Sequence, residues 1–306
     1  MQGLGAQRGV ALDDHYRSET LGGRPILELA ARLWAPDRYD AFTICYRAMR
    51  TVDDLVDDRR ARGTPLSAGE RRAIRGEIAR RMLERPSAQL REVRDRFAIP
   101  GWAWERWTRS MLYDLDHDGF RSFLDYRRYA EGAAVAPGAI FMHLCGVRPV
   151  EGRYLPPLFD ARRAASPLAI FCYLVHIVRD FESDQRANLH YFPDLVLARH
   201  NLTRGDLRWV AEGGTPPASF RRLLSEYCRM AGSYARSARE RLDEVAPRLE
   251  DPYRLSLEVV YGLYRQIHEK AEACRDTLAS EKVVPTGEEM RERIAEILGG
   301  GAVPTT

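Results

Sequence analysis

An all-α bundle around an elongated apolar cavity is the fold this sequence predicts, on three observations. Apolar residues recur at helical spacing along most of the chain, beginning between Leu21 and Trp34. Helix starts are marked at Ser67-x-x-Glu70, Ser122-x-x-Asp125 and Thr286-x-x-Glu289, where side chain and backbone can cap each other. The sequence carries no sustained apolar/polar alternation, no hairpin signal and no Gly-rich strand–helix fingerprint. With 306 residues, 45% of them hydrophobic, the chain can bury a large core. The expected organisation is a flexible arm over 1–19, one all-helical domain over 20–298 and a tail over 299–306.

Taken in order, Pro36 sits where a first helical turn tolerates proline. The helix it opens should run to about Arg62 and stop at Gly63. The next helix starts at Ser67 and reaches about Glu84. Trp104 to His117 reads as a helix, with Asp114, Asp116 and Asp118 near its end. The run Gly132–Gly138, GAAVAPG, is either a close helix contact or a kink beside a ligand, because Pro137 removes a helical hydrogen bond. Ala165 to Asp184, Met230 to Ala246 and Tyr253 to Leu278 read as further helices, the second ended by Pro247. A last helix begins near Thr286 and ends at Gly299 to Gly301.

Composition narrows the function classes. The net charge of +3 demands no polyanionic partner. Five cysteines without CxxC spacing fit a reducing cytoplasm better than a disulfide framework or a zinc site. The N-terminus lacks a signal peptide's apolar core, and no stretch of about 18 apolar residues is found. Arginines crowd Arg71 to Arg94, a pattern shared by solvated amphipathic helices and by surfaces for anionic membranes or nucleic acid. Trp102, Trp104 and Trp107 read either as packed rings or as a membrane-entry lip.

The chemistry-bearing stretch is Cys45 to Arg60, CYRAMRTVDDLVDDRR. Asp53 and Asp57 stand four apart on one helix face, as do Asp54 and Asp58, and like charges at that spacing repel. A divalent cation would offset the repulsion, and oxygen-only donors suit Mg2+ better than zinc. An acidic run is also how a solvated helix face reads. A second copy shifts the balance: Tyr173 to Asp184, YLVHIVRDFESD, ends in Asp180 and Asp184, again four apart. Each pair has an arginine upstream, Arg50 or Arg179. Two such pairs facing each other would form a mouth for metal ions and a diphosphate, with the arginines on the remaining phosphate charge.

These motifs resemble a family. Tyr46 to Asp57, YRAMRTVDDLVD, is similar to the first aspartate-rich motif of the squalene/phytoene synthases, and Tyr173 to Pro193, YLVHIVRDFESDQRANLHYFP, to their second. MLYDLDHDGF (Met111 to Phe120) and YAEGAAVAPGAIFMHLCG (Tyr129 to Gly146) resemble the intervening helices in order and spacing. The likeness spans about residues 20 to 285. It implies a single-domain bundle of the class I isoprenoid synthase type. The implied activity is prenyl transfer, joining two allylic prenyl diphosphates (farnesyl or geranylgeranyl) head to head with loss of diphosphate.

The implied roles are Mg2+ at Asp53, Asp57, Asp180 and Asp184, and phosphate at Arg50 and Arg179. Tyr46, Tyr129 and Phe171 are walls or proton handlers, and Asp114 stands at an acidic position of the family. Tyr173, Val135 and Gly138 are expected beside the substrate, and His176 is a candidate proton relay or hydrogen-bond partner. No nucleic acid, haem or nicotinamide site is implied. NADPH would enter only with a reductive second step, and peripheral membrane contact would serve product release. Three departures stand out. Tyr173 and His176 occupy places where the family carries Gln and Asn, and Leu189 replaces an Arg, with Arg186 and Asn188 nearby. They leave open a single-substrate terpene synthase or a non-catalytic assembly partner.

Overall fold

The computed structural model describes Leu21 and residues 24–61, 66–274 and 283–299. The expected N-terminal arm, the stop at Gly63, the stretch to Leu278 and the tail beyond Gly299 lie outside the described residues, as does the Asp58 side chain. Helices dominate. In chain order they are α1 (Ile26–Ala31), α2 (Pro36–Ala61), α3 (Ala68–Ala79), α4 (Ala88–Arg96), α5 (Gly101–Asp114), α6 (Phe123–Ala130) and α7 (Ala136–Gly146). After these come α8 (Ala161–Arg179), α9 (Phe181–Arg186), α10 (Asp194–Arg199), α11 (Arg204–Ala211), α12 (Ala218–Val245), α13 (Asp251–Ala273) and α14 (Gly287–Gly299).

All three expected capping boxes form. Ser67 Oγ accepts from the Glu70 amide, Ser122 Oγ from Asp125 and Thr286 Oγ1 from Glu289, while each acid reaches back to the cap amide. The GAAVAPG run, read as a close helix contact or a kink, holds a π-helical turn, Glu131–Val135, packed against α5. A Cβ at Gly132 would collide with Ser110 Oγ and the Arg106 carbonyl, so only glycine lets the two backbones approach.

Other elements depart from the sequence reading. Between residues 24 and 34 the helix is Ile26–Ala31, shorter than the run to Trp34 suggested. The helix read from Trp104 starts at Gly101 and stops at Asp114, leaving Asp116 in a turn and His117 just beyond it. A two-stranded hairpin, β1 (Arg148–Val150) and β2 (Arg153–Leu155), closes on Glu151 and Gly152, both at positive φ. Three residues per strand are too few for alternation to register. The second Asp-rich segment is not one helix: Asp180 (φ −96°, ψ 13°) leaves helical geometry between α8 and α9.

Helix α8 is the hub, packing chiefly on α12 and also on α7 and α13. By length and composition it alone among the described helices could cross a bilayer. Its apolar side chains are mostly buried in this core instead. Arg38, 2% exposed, ties α2 to the end of α7 through the Leu144 and Cys145 carbonyls, its guanidinium 3.9 Å from the Tyr253 ring centroid. The tryptophans are mostly packed: Trp104 and Trp107 are buried, and Trp102 is half-buried beneath Arg162.

Candidate active site

Helices α2, α5, α7, α8 and α13 enclose a cavity of about 590 Å3. On α2 the lining residues are Phe42, Cys45, Tyr46, Met49, Arg50, Asp53 and Asp57. Their spacing of three and four keeps them on one face, apolar first and acidic last. The face of α8 repeats the gradient from Ala165, Leu168 and Ala169 through Tyr173 and His176 to Arg179, with Asp180 and Asp184 following. One cavity therefore receives both carboxylate pairs, both arginines, Tyr46, Tyr129, Tyr173, His176 and Gly138.

Two expected residues are elsewhere. Phe171 is fully buried on the opposite face of α8, against Tyr261 and His268. Val135 is also fully buried and does not line the cavity. In each case the neighbouring turn supplies the wall: Leu168 and Cys172 on α8, Ala134 and Pro137 around α7.

The two acid pairs sit in different electrostatic settings. Arg50, itself largely exposed, donates to Asp53 Oδ2 at 3.1 Å and lies 2.8 Å from Asp54 Oδ1. That guanidinium does not compensate Asp53. Burial first, then repulsion from Asp57, Asp114 and Asp54, pushes its carboxyl up to about 7. Asp180 is held by Arg179 in a bidentate pair, Nε to Oδ1 and Nη2 to Oδ2, both 2.7 Å. His176 Nε2 adds a contact of 2.6 Å to Oδ2. Burial acts to raise the Asp180 pKa, but these contacts win and hold it well below the usual carboxylate range. Tyr264 stands within electrostatic reach of Arg179, Asp180 and Tyr46, joining the two sides.

Behind Asp53, Asp114 is buried and accepts a 2.6 Å hydrogen bond from Tyr129 OH. Its neighbours in the DLDHD run are not part of the site. Asp116 pairs with Arg71 and Arg75, and His117 stacks on Tyr113 at 3.8 Å. Tyr173 packs near the rings of Tyr126, Tyr129 and Tyr191. Leu189 lines the cavity, and neither neighbour restores the missing arginine. Arg186 bonds the Ala211 carbonyl, and Asn188, in a left-handed conformation, accepts from Arg208. Sequence reasoning missed Trp107, Met111, Leu257, Val260 and Tyr191 as walls. The i, i+4 spacing of Trp107 and Met111 was readable, but not which face of α5 turned inward.

A divalent cation fits this donor set. Repulsion among Asp53, Asp57 and Asp114 is what a bound cation would relieve. Among the described residues no three His, Cys, Asp or Glu side chains converge into a closed cage. One or two carboxylates per ion, with water and substrate phosphates completing the shell, is the mode such a site allows.

The model of the squalene/phytoene synthase family matches residues 27–288, and the chain belongs to that family. It is a prenyl-transferring enzyme of the head-to-head class, whose members act on prenyl diphosphates with a divalent metal. Solved structures share its fold. A dehydrosqualene synthase in complex with ligand superposes with a TM-score of 0.68 at 16% identity, over 90% of this chain and 92% of its own. YisP from Bacillus subtilis subsp. subtilis strain 168 gives 0.60 at 14% identity, over 93% and 96%. Squalene synthase HpnC from Alicyclobacillus acidocaldarius gives 0.50 at 16%, over 78% and 98%. No curated protein matches the chain.

Proposed function

We propose that this enzyme uses Mg2+ to ionise farnesyl or geranylgeranyl diphosphate and joins two such chains head to head, in the cytoplasm. One observation carries the reading: two aspartate pairs, each beside an arginine, edge a single cavity whose other walls are mainly aliphatic and aromatic. Bound Mg2+ would neutralise the diphosphate and stabilise its departure. Asp53 and Asp57 would hold metal on one side, Asp180 and Asp184 on the other.

Arg50 and Arg179 exchange partners in this scheme. Each now rests on a neighbouring aspartate; with substrate present each would offer its donors to phosphate oxygen, leaving that aspartate to hold metal. The allylic cation left behind is shielded from water by Trp107, Phe141, Leu168 and Leu257. Aromatic faces such as Trp107 stabilise a nearby cation by about 0.5–2 kcal/mol. Burial holds the Tyr129 phenol well above its ordinary pKa, so it stays protonated and keeps its hydrogen bond to Asp114 at the cavity wall. A cytoplasmic setting accords with the thiols: Cys45, Cys145 and Cys228 are buried and form no disulfide among the described residues, and burial pushes Cys45 up to about 12.

A second reading, one substrate giving a cyclised or hydroxylated monomer, is favoured by Tyr173. Its ring occupies cavity wall where the resemblance expects a Gln. Pyrophosphate release from each substrate, with and without Mg2+ and with the organic extract analysed, separates the two. Products of twice the substrate's carbon number establish condensation. Monomer-sized products alone replace it with the second reading, and no metal-dependent release sinks both.

A further inference from the structure

We propose that the outer face of α3 and α5 seats the enzyme on an anionic phospholipid bilayer. Residues 71–94 carry eight arginines against three glutamates, a net +5 within 24 residues of a chain whose total is only +3. The groove between α3 and α5 is lined by four of the chain's arginines, Arg71, Arg72, Arg75 and Arg109, against two acids, Glu105 and Asp116. Glu77 is tied to Arg80 and Arg81, and Asp116 to Arg71 and Arg75. Arg72, Arg85, Arg91 and Arg109 are exposed, and among the described residues their side chains make no ion pair or hydrogen bond.

Between the arginines runs a groove with an apolar floor. Ala68, Gly76, Ala79 and Leu112 line one stretch, and Leu83, 42% exposed, and Thr108 the next. Glu105 is the one acid on the groove not paired with these arginines. Guanidinium groups around a shallow apolar floor match phosphate headgroups above acyl chains. A nucleic acid would leave Leu83 and Leu112 without a partner. A second copy of this chain would bring two strongly positive faces together.

The position adds a reason. Helix α5 separates groove from cavity, with Trp107 and Met111 facing inward and Thr108, Arg109 and Leu112 outward. A bilayer on this face lies one helix away from the apolar cavity, a short route for a water-insoluble product. That benefit rests on the proposed function; the contact itself does not, and its test uses no substrate.

The experiment is sedimentation of the full chain with vesicles of phosphatidylcholine alone or with roughly one-third phosphatidylglycerol, at about 0.1 M salt. Wild type should bind the anionic vesicles at least about tenfold more tightly. The Arg72→Gln, Arg109→Gln double variant should lose about tenfold or more of that binding. Its pyrophosphate release in detergent should be unchanged, because neither arginine reaches the cavity. Equal binding to both vesicles, or full binding by the double variant, would overturn the proposal. So would a wild-type dimer that the variant breaks, or retention of a single-stranded oligonucleotide in place of vesicles.

Discussion

The two aspartate pairs look interchangeable as sequence and are opposites as structure. Asp53 sits on an unbroken helix among other acids, with one exposed arginine beside it, and its proton is held to about 7. Asp180 sits at a break between two helices, clamped by Arg179 and touched by His176, and stays ionised far into acid. One side of the cavity is thus short of positive charge before any ligand arrives, and the other is already neutralised. A cation gains most by approaching the α2 side first, where it removes a repulsion. The α8 side would release its arginine to phosphate only once a diphosphate is present.

The largest expected effect does not distinguish the pairs. Asp53→Asn and Asp180→Asn should each lower Mg2+-dependent pyrophosphate release by roughly 10²–10³-fold, the scale of losing one preorganised charge at a developing anion. Near wild-type turnover in either variant would remove that aspartate from the reaction.

Stability without metal should then split them. Asp180→Asn leaves Arg179, only 21% exposed, without its bidentate acceptor. The cost should be roughly 2 kcal/mol, or about 5 °C in Tm. Asp53→Asn removes a crowded carboxylate and should hold or raise the metal-free Tm at pH 8. If both variants fall equally in a thermal melt, the contrast between the sides is wrong.

This contrast is what the sequence could not display. Helical spacing, capping pairs and the four aspartates were legible, because periodicity and i, i+4 geometry are local properties. The break at Asp180 was not: YLVHIVRDFESD contains neither proline nor glycine. The break coincides with the pairing of Asp180 to its chain neighbours Arg179 and His176, whose geometry depends on how the side chains turn at the cavity edge. Likewise Phe171 and Cys172 are neighbours of similar apolarity, and only the packing of Tyr261 and His268 decides which one turns from the cavity. The hairpin of β1 and β2 escaped for a different reason, since a turn of Glu151 and Gly152 with such short arms leaves almost no pattern.

The pH dependence follows from the sign of each shift. An ordinary aspartate titrates near 4, so between about pH 4 and 7 the folded metal-free protein keeps a proton on Asp53 that the unfolded chain has released. Stability from this group therefore falls as pH rises through that window. Asp180 does the reverse: its contribution is complete above the ordinary carboxylate range and fades only in stronger acid. Mg2+ competes with the Asp53 proton, so its stabilising effect on Tm should be small at pH 6 and grow by a few degrees at pH 8. In Asp53→Asn that growth should disappear. A metal effect independent of pH would mean the ion does not enter beside Asp53.

The smallest effect tests how far the crowding on α2 reaches. Tyr129 OH donates to Asp114, which favours the ionised carboxylate, and that charge is one of those raising Asp53. In Tyr129→Phe the donor is lost, so Asp114 binds its proton more readily, and a protonated Asp114 no longer repels Asp53. The pH at which Mg2+ begins to protect should then move downward by a few tenths of a unit, alongside a stability loss of about 1 kcal/mol. A midpoint that stays fixed would assign the crowding to Asp57 and Asp54. An upward shift would show that the Tyr129 hydroxyl, not the Asp114 charge, is what Asp53 senses.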